Sequence, residues 1–245
     1  MKALLVLAAA LLLPQEKNEA EELFKKVEVK LGQADTLQFT FNTKWQDLKK
    51  KDMSGTDEGT IIVQKDGKAR LEFTDYPVTV RIASNGKVVG FDRAMIGSDY
   101  PPIPTPQTLS RDVRGYFLRT GATFSIWQMQ NNIMAVENDR RDKAEGKAPL
   151  SREDNPFTMK ITQFKKGTPE NVEGKAASVI QFNIEGGPFV SKKAAVKLWV
   201  DPRKMLPVRM RVEDEGEMWI DEFYKDYKLN AKTDPQVFEV SKEDK

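Results

Sequence analysis

The sequence predicts an α+β protein, mainly β, in which an open antiparallel half-barrel has helices covering its concave face. Three observations support this prediction. Apolar and polar residues alternate in many short segments, which is the period of a half-buried strand. Turn pairs such as Asp66-Gly67 and Asn85-Gly86 join these segments and supply the positive φ angles of tight hairpins. Helical periodicity is confined to the beginning and the middle of the chain, so these helices must cover the apolar face of the sheet.

The composition excludes several classes of function. The 245 residues suffice for one large domain or two small ones, and 31% charged with 39% hydrophobic residues is a globular balance. The 39 basic residues nearly balance the 37 acidic ones, so no nucleic-acid partner is predicted. The chain has no His and no Cys, which excludes a thiol nucleophile, a Ser-His-Asp triad and a Cys/His zinc site. No pair of carboxylates is placed in a cleft, so we predict a protein that is not an enzyme and uses no metal or cofactor.

Residues 1–15 have the form of a secretory signal peptide. Met1-Lys2 is a short basic start, and an apolar run from Ala3 to Leu13 follows it. This run fits a signal sequence and falls well short of the ~20 apolar residues that span a bilayer. The alternative, a buried N-terminal helix, is disfavoured by the polar segment 14–18. The sequence therefore predicts export and a single domain over residues 16–245.

The elements that follow are a helix and a series of strands. Asn18 to Gly32 is predicted as an amphipathic helix, because apolar residues recur at three- and four-residue steps behind an Asn N-cap. The first strand runs from Leu37 to Trp45. Hairpin-linked strands continue to Phe91, and alternation resumes from Phe157 to Phe223. These segments predict roughly ten strands in one antiparallel sheet.

A helical insertion separates the two groups of strands. Prolines between Tyr100 and Pro106 remove hydrogen-bond donors, so this segment is predicted to stay outside the sheet. The lid, which is the helical insertion at about residues 105–136, is predicted to start at Thr105-Pro106 and to contain two helices. Its second helix, Thr123 to Val136, is more apolar than a surface helix requires. The charged segment 137–155 is predicted to be a flexible connection of unassigned role.

Five motifs follow one another along nearly the whole chain after residue 16. Thr36 to Phe41 is an opening strand after a helix and a short turn, and Glu58 to Val63 is a Gly-containing second strand. Ile82 to Lys87 contains a Ser-Asn-Gly-Lys hairpin, Leu198 to Val208 a late hairpin, and Leu229 to Phe238 is the last motif. In this order the motifs resemble the LolA-like family, the periplasmic carriers of outer-membrane lipoproteins and their relatives, whose hairpin has Asp in place of Asn.

The resemblance implies a monomeric carrier that binds the acyl chains of lipoproteins or other lipids for delivery towards the outer membrane. It also implies two protein partners, an inner-membrane release complex and an outer-membrane acceptor. An alternative is a relative with the same fold that acts as an envelope sensor or protein-interaction module without a transport role. A hydrolase using Ser, Lys or carboxylates is a third interpretation, and no Ser-x-x-Lys motif supports it.

The predicted ligand site is an apolar cavity between the sheet and the lid. Acyl chains need such a surface, because each buried CH₂ group contributes about 0.8 kcal/mol. The concave face is predicted to be lined by Phe39, Phe41, Trp45, Leu71, Phe73, Val80, Ile82, Leu198, Val208 and Met210. The lid is predicted to contribute Phe117, Ile126, Trp127, Met129 and Met134. The same residues would equally form an ordinary filled core, and alternation alone does not separate the two. Arg70 and Arg81 have outward parity and are predicted to be solvated.

Overall fold

A computed structural model describes residues 18–46, 54–75, 78–93, 102–146, 159–186, 193–214 and 217–240. The described residues form three α-helices, which are α1 (Glu19–Gln33), α2 (Leu109–Thr120) and α3 (Ala122–Ala144), and a 3-10 turn at Pro235–Phe238. The strands are β1 (Thr36–Gln46), β2 (Ser54–Gln64), β3 (Lys68–Asp75), β4 (Val78–Asn85), β5 (Val88–Arg93), β6 (Ile103–Pro104), β7 (Lys160–Lys166), β8 (Glu170–Val172), β9 (Lys175–Glu185), β10 (Lys193–Asp201), β11 (Leu206–Asp214) and β12 (Glu217–Leu229). The predicted signal peptide, residues 147–155 of the charged segment and Phe157 lie outside the described residues.

All the strands belong to one antiparallel sheet with two ends. The order is β6-β5-β4-β3-β2-β1-β12-β11-β10-β9-β7, and β8 pairs with β9 beside this path. Strand β1 joins the early and late halves, since it pairs with β2 on one side and with β12 on the other. Strands β6 and β7 lie at opposite ends, so the sheet is open. The predicted fold class, α+β and mainly β with an open antiparallel sheet, is confirmed.

The first helix covers the late end of the sheet. The buried residues of α1 are Ala20, Phe24, Val27 and Leu31. The ring of Phe24 lies 5.4 Å from that of Phe164 and 5.2 Å from that of Phe182, measured between centroids. Asn18 is the N-cap, as predicted, because its side chain accepts hydrogen bonds from two backbone N–H groups of the first turn.

The lid consists of α2 and α3, which lie against the concave face of the sheet. Phe117 of α2 packs on Phe39 of β1 with ring centroids 4.4 Å apart. Phe124 of α3 packs edge-on against Trp219 of β12 at 5.6 Å. A single residue, Gly121, separates the two helices, and its φ of 94° lies in a region that glycine adopts without strain.

The start of the lid differs from the prediction. Helix α2 begins at Leu109, four residues after Thr105, because Thr105 is held by the sheet. Its backbone N–H donates to the carbonyl oxygen of Lys87 at 2.9 Å, and its hydroxyl lies 2.9 Å from that of Ser84. The adjacent Ile103–Pro104 forms β6 at the sheet edge, where proline needs no donor on its outer side. The exclusion of this segment from the sheet was therefore wrong.

The end of the lid also differs from the prediction. Helix α3 continues to Ala144, eight residues beyond Val136. Glu137 is buried and accepts hydrogen bonds from Arg140 and Arg141, which follow it by three and four residues. Such pairs lie on one face of a helix and stabilise it. The charged composition of residues 137–144 therefore reflects a helix surface and not a flexible connection.

Candidate functional site

The concave interior, which is the space between the concave face of the sheet and the lid, contains most of the predicted ligand-site residues. Eleven of them belong to one continuous core cluster: Phe39, Phe41, Leu71, Phe73, Val80, Ile82, Phe117, Ile126, Met129, Leu198 and Met210. Trp45 and Trp127 are partly buried and pack against the same cluster. The structure thus brings together residues from early strands, late strands and both lid helices.

Aromatic rings fill the concave interior. The ring of Trp127 on α3 lies 6.4 Å from those of both Trp45 and Phe73, edge-on to each. Phe39 and Phe117 are fully buried and in direct contact. The lid therefore rests on the sheet in a closed arrangement, and the interior is occupied by the protein's own side chains.

Two predicted residues lie elsewhere. Val208 belongs to a separate cluster on the outer face, beside Trp199 and Phe223. A β-bulge places Val208 on the outer face. Trp199 of β10 pairs with Arg209 of β11, but the next residue, Val200, pairs with Pro207, so Val208 is an extra residue in β11. This extra residue reverses the alternation of inward and outward side chains along β11. Met134 is only partly buried and is not part of the core cluster of described residues. It lies one position after the buried Ile133, about 100° further round the helix.

A row of buried polar residues crosses the otherwise apolar concave face. Thr43 of β1 pairs with Asp57 of β2 on one side and with Glu222 of β12 on the other. All three are at most 1% exposed. This row was not predicted from the sequence. The parity of Glu222 with Ile220 and Tyr224 was the available signal, since alternate residues of a strand share a face.

Glu222 fixes the beginning of α3. Its carboxylate accepts hydrogen bonds from the backbone N–H groups of Ala122 at 2.6 Å and Thr123 at 2.8 Å, and from the hydroxyl of Tyr224 at 2.6 Å. Burial raises the pKa of Glu222, and these hydrogen bonds oppose the shift. A Cβ atom at Gly121 would lie 2.5 Å from a carboxylate oxygen of Glu222, so only glycine fits at this junction. The contact ties the lid to β12.

Arg114 fixes α2 to the end of α1. Its guanidinium donates to the carbonyl oxygens of Leu31 at 2.8 Å, Ala34 at 2.6 Å and Val63 at 3.3 Å. Longer bonds reach two further carbonyl groups of the same turn, those of residues 32 and 35. These contacts satisfy carbonyl groups that the last turn of α1 leaves without helical partners. Burial lowers the pKa of Arg114, and the nearby carboxylate of Asp35 opposes this shift.

Four buried polar atoms on the concave face and α3 have no hydrogen-bond partner among the described residues. They are Thr43 Oγ1, Trp45 Nε1, Gln128 Oε1 and the hydroxyl oxygen of Tyr227, whose ring stacks on Phe39. A buried polar group without a partner costs about 1–3 kcal/mol relative to its hydrated state. The closed contact between lid and sheet is therefore less favourable than that of a fully satisfied core, and opening the lid would hydrate these atoms.

The described part of the chain has neither a metal-binding cluster nor a membrane-spanning helix. No group of three or more acidic side chains is arranged to hold a metal ion there. No helix of this part is long and apolar enough to cross a membrane.

The outward parity of Arg70 and Arg81 is confirmed, since both contact Glu72 on the outer face of the sheet.

Comparisons with known proteins give structural similarities only. No protein-family model and no curated protein matches the chain. A chain of the MucA/MucB complex from Pseudomonas aeruginosa aligns at 14% identity and a TM-score of 0.42, covering 91% of this chain and 61% of that one. This chain thus spans less than two thirds of that protein's length.

Two further solved structures align over most of both chains. Lipoprotein LppX from Mycobacterium tuberculosis aligns at 10% identity and a TM-score of 0.44, covering 87% of this chain and 98% of that one. A LolA superfamily protein from Nitrosomonas europaea aligns at 11% identity and a TM-score of 0.38, covering 90% and 97%. At these identities the alignments compare only the path of the backbone.

Proposed function

We propose that the protein is an exported carrier that binds the acyl chain of a lipoprotein or another lipid in the concave interior. The observation that supports this most directly is the contact between lid and sheet. It combines large apolar rings with four buried polar atoms that have no partner among the described residues. In this proposal the lid separates from the sheet, the polar atoms are hydrated, and an acyl chain takes the place of the lid's apolar side chains.

The residues of the concave interior suit such a ligand. Burying a chain of about sixteen carbons contributes on the order of 10 kcal/mol, at about 0.8 kcal/mol per CH₂ group. Met129 and Met210 lie in the same cluster, and their unbranched thioethers adapt to ligands of different shape. The thirteen clustered residues are the proposed ligand contacts.

The buried carboxylates have a structural and not a catalytic role in this proposal. Glu222 has three hydrogen-bond donors that position α3, and its raised pKa follows from burial alone. We therefore propose a protein without enzymatic activity. Export through the signal peptide at residues 1–15 would place it in the periplasm, where a monomer would carry its ligand from an inner-membrane release complex to an outer-membrane acceptor.

Uptake of lipid is the first prediction. Native mass spectrometry of the chain from residue 16 onwards, which contains every described element, is expected to show one acyl ligand per chain after incubation with palmitate. Met129→Gln is expected to weaken this uptake about tenfold, because a polar amide would be buried against the acyl chain. The matched control is Val208→Gln, which changes the outer face and is expected to leave uptake unchanged.

A folded protein that takes up no palmitate would contradict the carrier function. The same holds if Met129→Gln and Val208→Gln both take up palmitate as well as the wild type does. In either case the concave interior would be a permanent core, and an envelope sensor or interaction module would be the better interpretation.

A further inference from the structure

A groove between α1 and α2 lies on the outside of the lid. It has a volume of about 780 Å³, which is within the range of small-molecule sites. Its walls are formed by α1, by α2, by the turn after β2 and by the beginning of β7. Its lining includes Leu31, Arg111, Arg114, Leu118, Met159 and Lys160.

The groove has an excess of positive charge. Its lining contains the basic residues Lys65, Arg111, Arg114, Arg119 and Lys160, and only two acids, Glu28 and Asp112. Arg119 is 3.0 Å from Glu28, Arg111 is 3.2 Å from Asp112, and Lys65 is 3.0 Å from Asp35 at the rim. Within the described ranges, Arg114 and Lys160 have no ion pair with a carboxylate. An anion in the groove would be attracted by this unbalanced charge.

Arg114 provides an independent indication of an anionic ligand. Its side chain is only 6% exposed, and its hydrogen-bond acceptors are neutral carbonyl groups. Its Nε is buried and has no acceptor among the described residues. A buried charge is costly unless a counter-charge lies close to it. The groove borders this guanidinium, so an oxyanion bound there would add to the partial compensation that the carboxylate of Asp35 provides.

The floor of the groove is apolar and continuous with the concave interior. Leu31 and Leu118 are almost completely buried and belong to the same core cluster as Phe39 and Phe117. Met159 packs against this cluster at the edge of the groove. Helix α2 therefore has the charged groove on one side and the proposed acyl site on the other.

We propose that the groove binds the anionic head group, a carboxylate or phosphate, of the amphiphile whose acyl chain enters the concave interior between α1 and α2. The inference rests on the proposed lipid-binding function and adds the charge of the ligand. Arg111 and Lys160 at the rim attract the head group, and Arg114 at the base is its counter-charge. The acyl chain passes over Leu31 and Leu118.

The test compares charge-reversal variants at two surfaces by titration calorimetry. Arg111→Glu with Lys160→Glu is expected to weaken binding of dodecyl phosphate at least about tenfold, because two attractive charges become repulsive. The control, Lys44→Glu with Lys228→Glu, makes the same change in net charge on exposed strand positions outside the groove. It is expected to change the affinity less than about twofold, since such distant surface charges are screened by salt.

Three results would overturn the proposal. Equal weakening by both variant pairs would show that only net charge matters. Dodecyl maltoside binding as tightly as dodecyl phosphate would remove the need for an anion, while leaving the carrier function intact. Inorganic phosphate binding as tightly as dodecyl phosphate would mean that the groove holds a free anion and no amphiphile. Failure of the carrier function itself is recognised separately, by the absence of palmitate uptake.

Discussion

Replacing Arg114 with Met is expected to lower the free energy of unfolding by about 3–5 kcal/mol, because each buried carbonyl oxygen that loses its donor costs about 1–3 kcal/mol. The substitution leaves the carbonyl oxygens of Leu31, Ala34 and Val63 without their donor, and Met cannot replace it. Urea denaturation followed by circular dichroism measures the change. Arg114→Lys is expected to lose less, since an ammonium retains the charge but reaches fewer carbonyl groups.

Arg111→Met is the matched control. The side chain of Arg111 lies one turn earlier on the same helix and is 79% exposed. Among the described residues it forms an ion pair only with its neighbour Asp112. A surface substitution of this kind usually changes stability by less than about 0.5 kcal/mol. If Arg114→Met were no more destabilising than Arg111→Met, the guanidinium would not be holding α2 to the end of α1.

Replacing Glu222 with Ala is expected to cost about 3–4 kcal/mol, from the donors left without an acceptor and the space left behind. The donors are the backbone N–H groups of Ala122 and Thr123 and the hydroxyl of Tyr224. Hydrogen exchange at residues 122 and 123 is expected to accelerate more than exchange in β12, because the cap of α3 is lost first. Unchanged exchange at these two positions would contradict the capping role.

Glu222→Gln is the control, and pH separates the two variants. Burial holds the pKa of Glu222 in the folded protein above its ordinary value of 4.5. At a pH between these two pKa values, the folded protein therefore retains a proton that the unfolded chain releases. The stability that this proton provides is complete below pH 4.5 and is lost as the pH rises through the folded pKa. Gln does not titrate, so the wild type is expected to lose stability relative to Glu222→Gln as the pH rises. Parallel curves would contradict the raised pKa.

The sequence predicted the sheet well because alternation and turn pairs are local signals. Hairpins at Asp66-Gly67 and Asn85-Gly86 join β2 to β3 and β4 to β5, as predicted. Val208 was misplaced because a bulge adds one residue to β11, and no local pattern announces it. The extent of α3 was missed because residues 137–144 lack apolar periodicity, and their helix is supported by the charges around Glu137.

The site was predicted only in its apolar part. Phe39, Phe73 and Leu198 followed from parity, and Phe117 and Met129 from helical periodicity. Arg114 was missed because a charged residue on an amphipathic helix is normally solvated, whereas here the end of α1 lies beside it. Tertiary contact of this kind is not visible in a single sequence. Whether the interior is a permanent core or a site that opens also depends on energies that alternation does not specify.

The most direct test of the carrier function is quenching of tryptophan fluorescence by dibromostearate, whose bromine atoms lie in the middle of its acyl chain. Three of the four tryptophans, Trp45, Trp127 and Trp219, pack against the core cluster, whereas Trp199 lies in the outer cluster. An acyl chain in the concave interior is expected to quench the wild type strongly. The quenching should be retained in Trp199→Phe and largely lost in the variant Trp45→Phe/Trp127→Phe/Trp219→Phe, which keeps only Trp199. Quenching that is retained in this triple variant, or no quenching at all, would contradict an acyl site beneath the lid.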